Sequence, residues 1–197
     1  MNTVNMNKDT IVQFVCFTSV LEPEEFMEMW ESYASFLVDD PANILLQAGA
    51  TERNNNRFNY VLQHVCSATD FRFAFMKEGG RSHPLEDKGR ITQAGGYLPV
   101  QLQSTYNNVK GYSRVVAFVG HSETELDFYR EQTFHHLDIY EAYFENCAYN
   151  YVLEFFLPEV EARVLLGQLK ARHGVEAALY EECRISQSSK RAFSSLL

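Results

Sequence analysis

The sequence predicts an α+β chain assembled from two copies of one β-α-β-β-α-β unit, and three observations carry that expectation. The tetrapeptide Asn-Tyr-Val-Leu occurs at Asn59–Leu62 and again at Asn150–Leu153, 91 residues on, each time behind an aromatic residue, Phe58 or Tyr149. Each copy sits within the same order of apolar runs and helix signals, the mark of an internal repeat. The length of 197 residues, with 46% hydrophobic and 22% charged, suits a globular chain that can bury a core.

The first unit opens with a β-rich run from Ile11 to Thr18. Pro23 then starts a helix with Phe26, Met29, Trp30, Tyr33 and Phe36 or Leu37 at helical spacing. Its acidic residues, Glu24, Glu25, Glu28 and Glu31, fit a solvated face and favour the helix N-terminus. Ile44 to Ala50 and Phe58 to Cys66 read as strands around a polar turn. Thr69-Asp70 caps a second helix running to Lys77, and Tyr97 to Gln103 closes the unit.

The second unit repeats this order. Val115 to Val119 is a strand. Ser122 caps a helix, with Glu125 at capping-box spacing. Phe134 to Phe144 and Tyr149 to Leu157 are strands. Pro158 opens a helix with Val160, Val164, Leu165 and Leu169 on one face, stopping at Gly174. Val175 to Ile185 is the last strand. At the 91-residue offset Arg72 falls on Arg163, in the second helix of each unit. The order is the split βαβ, or ferredoxin-like, arrangement. The units are expected at 10–106 and 111–186, with loosely ordered tails at 1–9 and 187–197. The units differ in one respect: a Gly-rich stretch, 79–96, separates the last helix and strand of the first, where the second has Gly174 alone. A loop of that length is either a functional lid or a mobile excursion.

Charge and cysteine usage narrow the partners. A formal charge of −9 without a compact basic patch argues against nucleic acid and against an anionic membrane surface. The four cysteines are far apart, there is no charged-then-apolar leader, and no apolar run approaches a membrane span. Reduced thiols in a cytoplasmic setting are expected.

With both units on the page, residues 10–186 resemble the dimeric α/β-barrel superfamily, which includes antibiotic-biosynthesis-monooxygenase-like proteins. The resemblance is one of topology. It implies that the two ferredoxin-like repeats of this one chain pack sheet to sheet as an intramolecular pseudo-dimeric α/β barrel, with helices outside. Members include cofactor-independent oxygenases, haem-degrading enzymes, isomerases and proteins without known activity. Their ligand pockets commonly lie between the sheet and helices of a unit.

Strand alternation assigns faces. Phe58, Tyr60, Leu62, His64 and Cys66, and likewise Tyr149, Tyr151, Leu153 and Phe155, are expected to face the helices. Asn59, Gln63, Asn150 and Glu154, joined by Gln47 and Asp138, are expected to face the barrel interior. There the two carboxylates need a partner such as Arg114 or water. His64 stands where the other unit has Phe155, and it is the candidate general base or hydrogen-bond donor. Trp30, Tyr33 and Tyr60 are candidate lining residues for a substrate, with Asn59 behind them. A histidine among aromatics is also, and more commonly, a hydrogen-bonded core residue.

Other chemistry finds less support. His135-His136-x-Asp138 brings only two ligands to one face of a strand, so no metal site is expected. GxSxG, phosphate-cradle and CxxCH signatures are absent, and no cofactor is expected. The leading function is a small monooxygenase-like protein binding an aromatic or polyketide-like molecule. The alternatives are a non-catalytic ligand-binding or protein-interaction module, and a haem-binding protein with His64 as axial ligand. A fused pair of units is compatible with a monomer or with a further homodimer.

Overall fold

The computed structural model describes residues 10–37, 43–52, 57–67, 88–101, 112–120, 129 and 136–185. The expected helix from Thr69 to Lys77 lies outside these residues. So do residues 79–87 of the Gly-rich stretch, the opening of the helix capped by Ser122, His121, His135 and both tails.

Eight strands and two helices are described: β1 Thr10–Ser19, α1 Pro23–Leu37, β2 Asn43–Thr51, β3 Tyr60–Ser67, β4 Gly89–Gln101, β5 Tyr112–Val119, β6 Leu137–Ala142, β7 Tyr151–Pro158, α2 Glu159–Lys170 and β8 Val175–Ile185. The strands form a closed barrel in the order β1-β3-β2-β8-β5-β7-β6-β4. Every neighbouring pair is antiparallel. The first four strands are therefore contiguous as β4-β1-β3-β2 and the last four as β8-β5-β7-β6. The β2–β8 and β4–β6 pairings seal the two seams, so no strand edge is left open.

Three cores follow from the alternation of side chains along these strands. The barrel interior packs Val12, Phe14, Val61, Val65, Tyr97, Val116, Phe118, Tyr140, Val152 and Tyr180. Outside the first four strands, α1 sets Phe26, Met27, Trp30 and Ala34 against Val15, Phe17, Tyr60 and Leu62. Outside the last four, α2 sets Ala162, Leu165, Leu166 and Leu169 against Val115, Ala117, Leu153 and Phe155. Strands covered on both faces explain why β1, β5 and β7 read as nearly unbroken apolar runs, with only one or two polar residues inside each.

Several expectations are corrected here. In α2, Val160 and Val164 are 76% and 57% exposed. The buried stripe is Ala162, Leu165, Leu166 and Leu169, whose i, i+3, i+4, i+7 spacing is the true helical face. The expected strand 134–144 is shorter: β6 ends at Ala142, and Tyr143 and Phe144 bend away. The closing strand of the first half begins well before Tyr97, at Gly89, so the last part of the Gly-rich stretch is strand and not loop. Gly95 pairs with Phe14, and a Cβ there would lie 2.8 Å from the Tyr97 ring, so glycine lets that ring fold back over the strand.

Phe58 and Tyr149 also depart from their assigned face. Both precede their strands, and both turn inward, where each packs against Phe118. Alternation holds only within a paired strand. Here it begins at Tyr60 and Tyr151.

Candidate functional site

The helix-facing side of β1 and β3 carries the candidate residues. Register sets Phe17 beside Tyr60, Val15 beside Leu62 and Gln13 beside His64, and paired residues share one face of the sheet. At the α1 end this face is closed. The Tyr60 ring stacks on Phe26 with centroids 3.6 Å apart and 11° between planes, and its hydroxyl donates to the Leu21 carbonyl at 2.7 Å. Trp30 is buried in the same cluster, and Tyr33 packs against it. Burial pushes the Tyr33 hydroxyl up to about 12, so it stays a protonated donor at neutral pH.

Asn59 has a different task. Its side-chain oxygen accepts from the Ser19 N–H at 2.9 Å, and its amide donates to the Ser19 carbonyl at 2.8 Å. It clips the end of β1 to the start of β3 and lies apart from the aromatic cluster.

Two residues further along the sheet, the composition of this face changes. One row across four strands reads Leu46, His64, Gln13 and Gly96. In the other half of the barrel the row built from the same strand order reads Leu137, Phe155, Val115 and Leu179, all of them core. Apolar side chains are thus replaced by an imidazole, a carboxamide and no side chain at all. Gln13 is 0% exposed and His64 3%. Neither amide atom of Gln13 has a hydrogen-bond partner among the described residues. Burying such groups unmatched costs about 1–3 kcal/mol each, so a row of this kind weakens the fold unless something else is gained.

Gln13 escaped the sequence reading. The signal was there: Val15 and Phe17 continue its face of β1, making it the polar exception on an apolar side. Its adjacency to His64 depends on the β1–β3 register, which spans 51 residues and cannot be read from either strand alone.

The barrel interior holds a second polar group, and here Glu154 has the expected partner, Arg114, whereas Asn150, expected inside, is exposed just before β7. Arg114 Nη2 ion-pairs with Glu154 Oε1 and donates to Gln63 Oε1 at 2.9 Å. Tyr140 donates its hydroxyl to Glu154 Oε2 at 3.1 Å, and Gln63 reaches the same oxygen at 3.4 Å. The Arg114 guanidinium also lies over the rings of Phe156 and Tyr180, at 5.3 and 4.9 Å from their centroids. Burial holds the Glu154 carboxyl above its ordinary range, and Asp138 adds to that, against the opposing pull of Arg114 and Tyr140. Asp138 is buried beside Glu154 on β6. His136 lies before that strand, its ring edge-on to Tyr112 at 5.9 Å. Among the described residues no three His, Cys, Asp or Glu side chains gather as a metal site.

Cys16 and Cys66 are buried free thiols and Cys147 is a half-buried one. Burial, with Glu176 nearby, pushes the Cys16 thiol up, which makes it a poor nucleophile at neutral pH. No described helix is long and apolar enough to cross a membrane.

Solved structures share this architecture at very low sequence identity. A candidate monooxygenase from Lactobacillus acidophilus NCFM superposes with a TM-score of 0.53 at 7% identity, over 91% of this chain and 97% of its own. An anthrone oxidase-like protein gives 0.55 at 8%, over 92% and 94%. A single-residue variant of chlorite dismutase from Candidatus Nitrospira defluvii gives 0.53 at 10%, over 97% and 96%. The chain thus shares the overall fold of these proteins. No family model matches its sequence, and no curated protein does.

Proposed function

We propose that this chain is a monooxygenase-like protein that holds an aromatic or polyketide-like small molecule between the sheet and helices of its first half. The observation that carries this reading is the cross-strand row of His64, Gln13 and Gly96, polar and lacking one side chain where the other half is solid apolar core. Fold neighbours named as a candidate monooxygenase and an anthrone oxidase-like protein support the reaction class.

On the same reading the barrel is a fused pair of ferredoxin-like units. Besides the shared tetrapeptide, its support is that hydrogen bonds recur at the 91-residue offset. Thr51 N–H donates to the Asn59 carbonyl, and Ala142 N–H donates to that of Asn150. One unit keeps this row apolar and the other turns it to a ligand, a division of labour that duplication permits.

In this site His64 accepts a proton from a methylene activated by a neighbouring carbonyl, leaving a stabilised carbanion that reacts with dioxygen. For an anthrone the balance is one CH2 group and one O2 giving one ketone and one water. Trp30, Tyr33 and Tyr60 wall the apolar end, where exclusion of water leaves the carbanion unsolvated and so reactive toward dioxygen. Oxygen uptake with anthrone tests this. Turnover is expected in the wild type and its loss in His64→Ala, with the circular dichroism unchanged. Equal turnover by both proteins would remove His64 from the chemistry, and a visible haem band in the purified protein would turn the reading toward haem binding.

A further inference from the structure

We infer that Gln13 is the specificity residue of this site, reading a neutral edge of the ligand on which a hydrogen-bond acceptor and a donor stand side by side. The inference rests on the ligand-site reading above and names the chemistry that the site selects. A carboxamide sets an N–H donor and a carbonyl acceptor side by side in a single plane. Both atoms of Gln13 are wholly buried and unmatched among the described residues. Its neighbours across the sheet are Gly96, which has no side chain, on one side and the imidazole of His64 on the other. The group that complements it is a carboxamide, a hydroxy-ketone or an enol.

Charge narrows the choice. Besides His64 and Gly96, the described residues that share this face include Ile11, Val15, Phe17, Tyr60, Leu62, Cys66, Ile91 and Ala94, with Phe26, Met27, Trp30 and Ala34 from α1 beside them. None is an ammonium, guanidinium or carboxylate, and the imidazole of His64 must enter neutral to accept the substrate's proton, so a ligand that arrives as a carboxylate or phosphate would be buried at high cost. The neutral edge is therefore preferred over the charged one of the same shape.

Three probes with one ring skeleton test this: naphthamide, with the paired donor and acceptor; naphthoate, which is charged; and methylnaphthalene, which has neither. Binding is read from the fluorescence of Trp30, the chain's one tryptophan. Wild-type protein is expected to bind naphthamide at least about tenfold tighter than either other probe. Gln13→Met, close to glutamine in volume, should lose that tenfold for naphthamide and bind methylnaphthalene as before, which also shows that the variant is folded. Equal affinity for the three probes, or an unchanged naphthamide affinity in Gln13→Met, would overturn the role of Gln13 and leave the pocket standing. Failure of all three to bind the wild type would instead overturn the pocket itself, and this inference with it.

Discussion

Glu154 is wholly buried, and its carboxylate depends on Arg114, Gln63 and Tyr140 for compensation. Arg114→Met strands that charge and should cost about 3–5 kcal/mol in urea unfolding, whereas pairing it with Glu154→Leu should recover most of the loss. The pH dependence has a definite sign. Burial raises the Glu154 carboxyl in the folded state, so the folded protein holds this proton more tightly than the unfolded chain. The contribution of Glu154 to stability is then greatest at or below the ordinary glutamate range, near pH 4.3, and declines as pH rises through the folded value. Denaturation midpoints measured against pH should show that decline in the wild type and a flatter profile in Glu154→Gln. This interior group was legible in advance, because period-2 alternation places Gln63, Glu154, Gln47 and Asp138 on one face within each strand. Gln13 was not, because its meaning comes from a neighbour on another strand.

Among the elements, α2 shows where periodicity misleads. Val160, Val164, Leu165 and Leu169 make a plausible stripe, but the stripe one step round, through Ala162 and Leu166, is the one that packs on β5, β7 and β8. Alanine at position 162 hid the pattern, since its small side chain adds little to a hydrophobic count. Leu169→Ala should therefore cost about 2–5 kcal/mol by chemical denaturation, and Val164→Ala no more than about 0.5. Strand β4 was mistaken at its start for the opposite reason. Glycines read as loop, yet Gly95 and Gly96 pair with Phe14 and Gln13 in regular ladder positions. Glycine on β2 is placed by a similar close approach: a Cβ on Gly49 would collide with the ring of Tyr180. Gly49→Ala should lower the thermal midpoint by an amount equivalent to about 1–3 kcal/mol, since the ring it displaces lies under Arg114 in a filled interior.

For the molecule as a whole, the two halves of the barrel spend the same position differently. One puts Phe155, Val115 and Leu179 across its sheet, all of them apolar core; the other puts His64, Gln13 and Gly96 there, two buried polar side chains and a glycine. The order of strands and of the two described helices was legible in the apolar runs and helix signals, and the barrel was what the family resemblance implied. The contrast between the rows was not legible, because it needs four strand registers at once. Transplanting the packed row is the direct test: Gln13→Val with His64→Phe, compared with the wild type for urea midpoint and for anthrone binding by Trp30 fluorescence. A polar row kept for a ligand predicts a higher midpoint in the double variant together with loss of anthrone binding. A lower midpoint with binding intact would mean that Gln13 and His64 are structural after all, and would contradict the account.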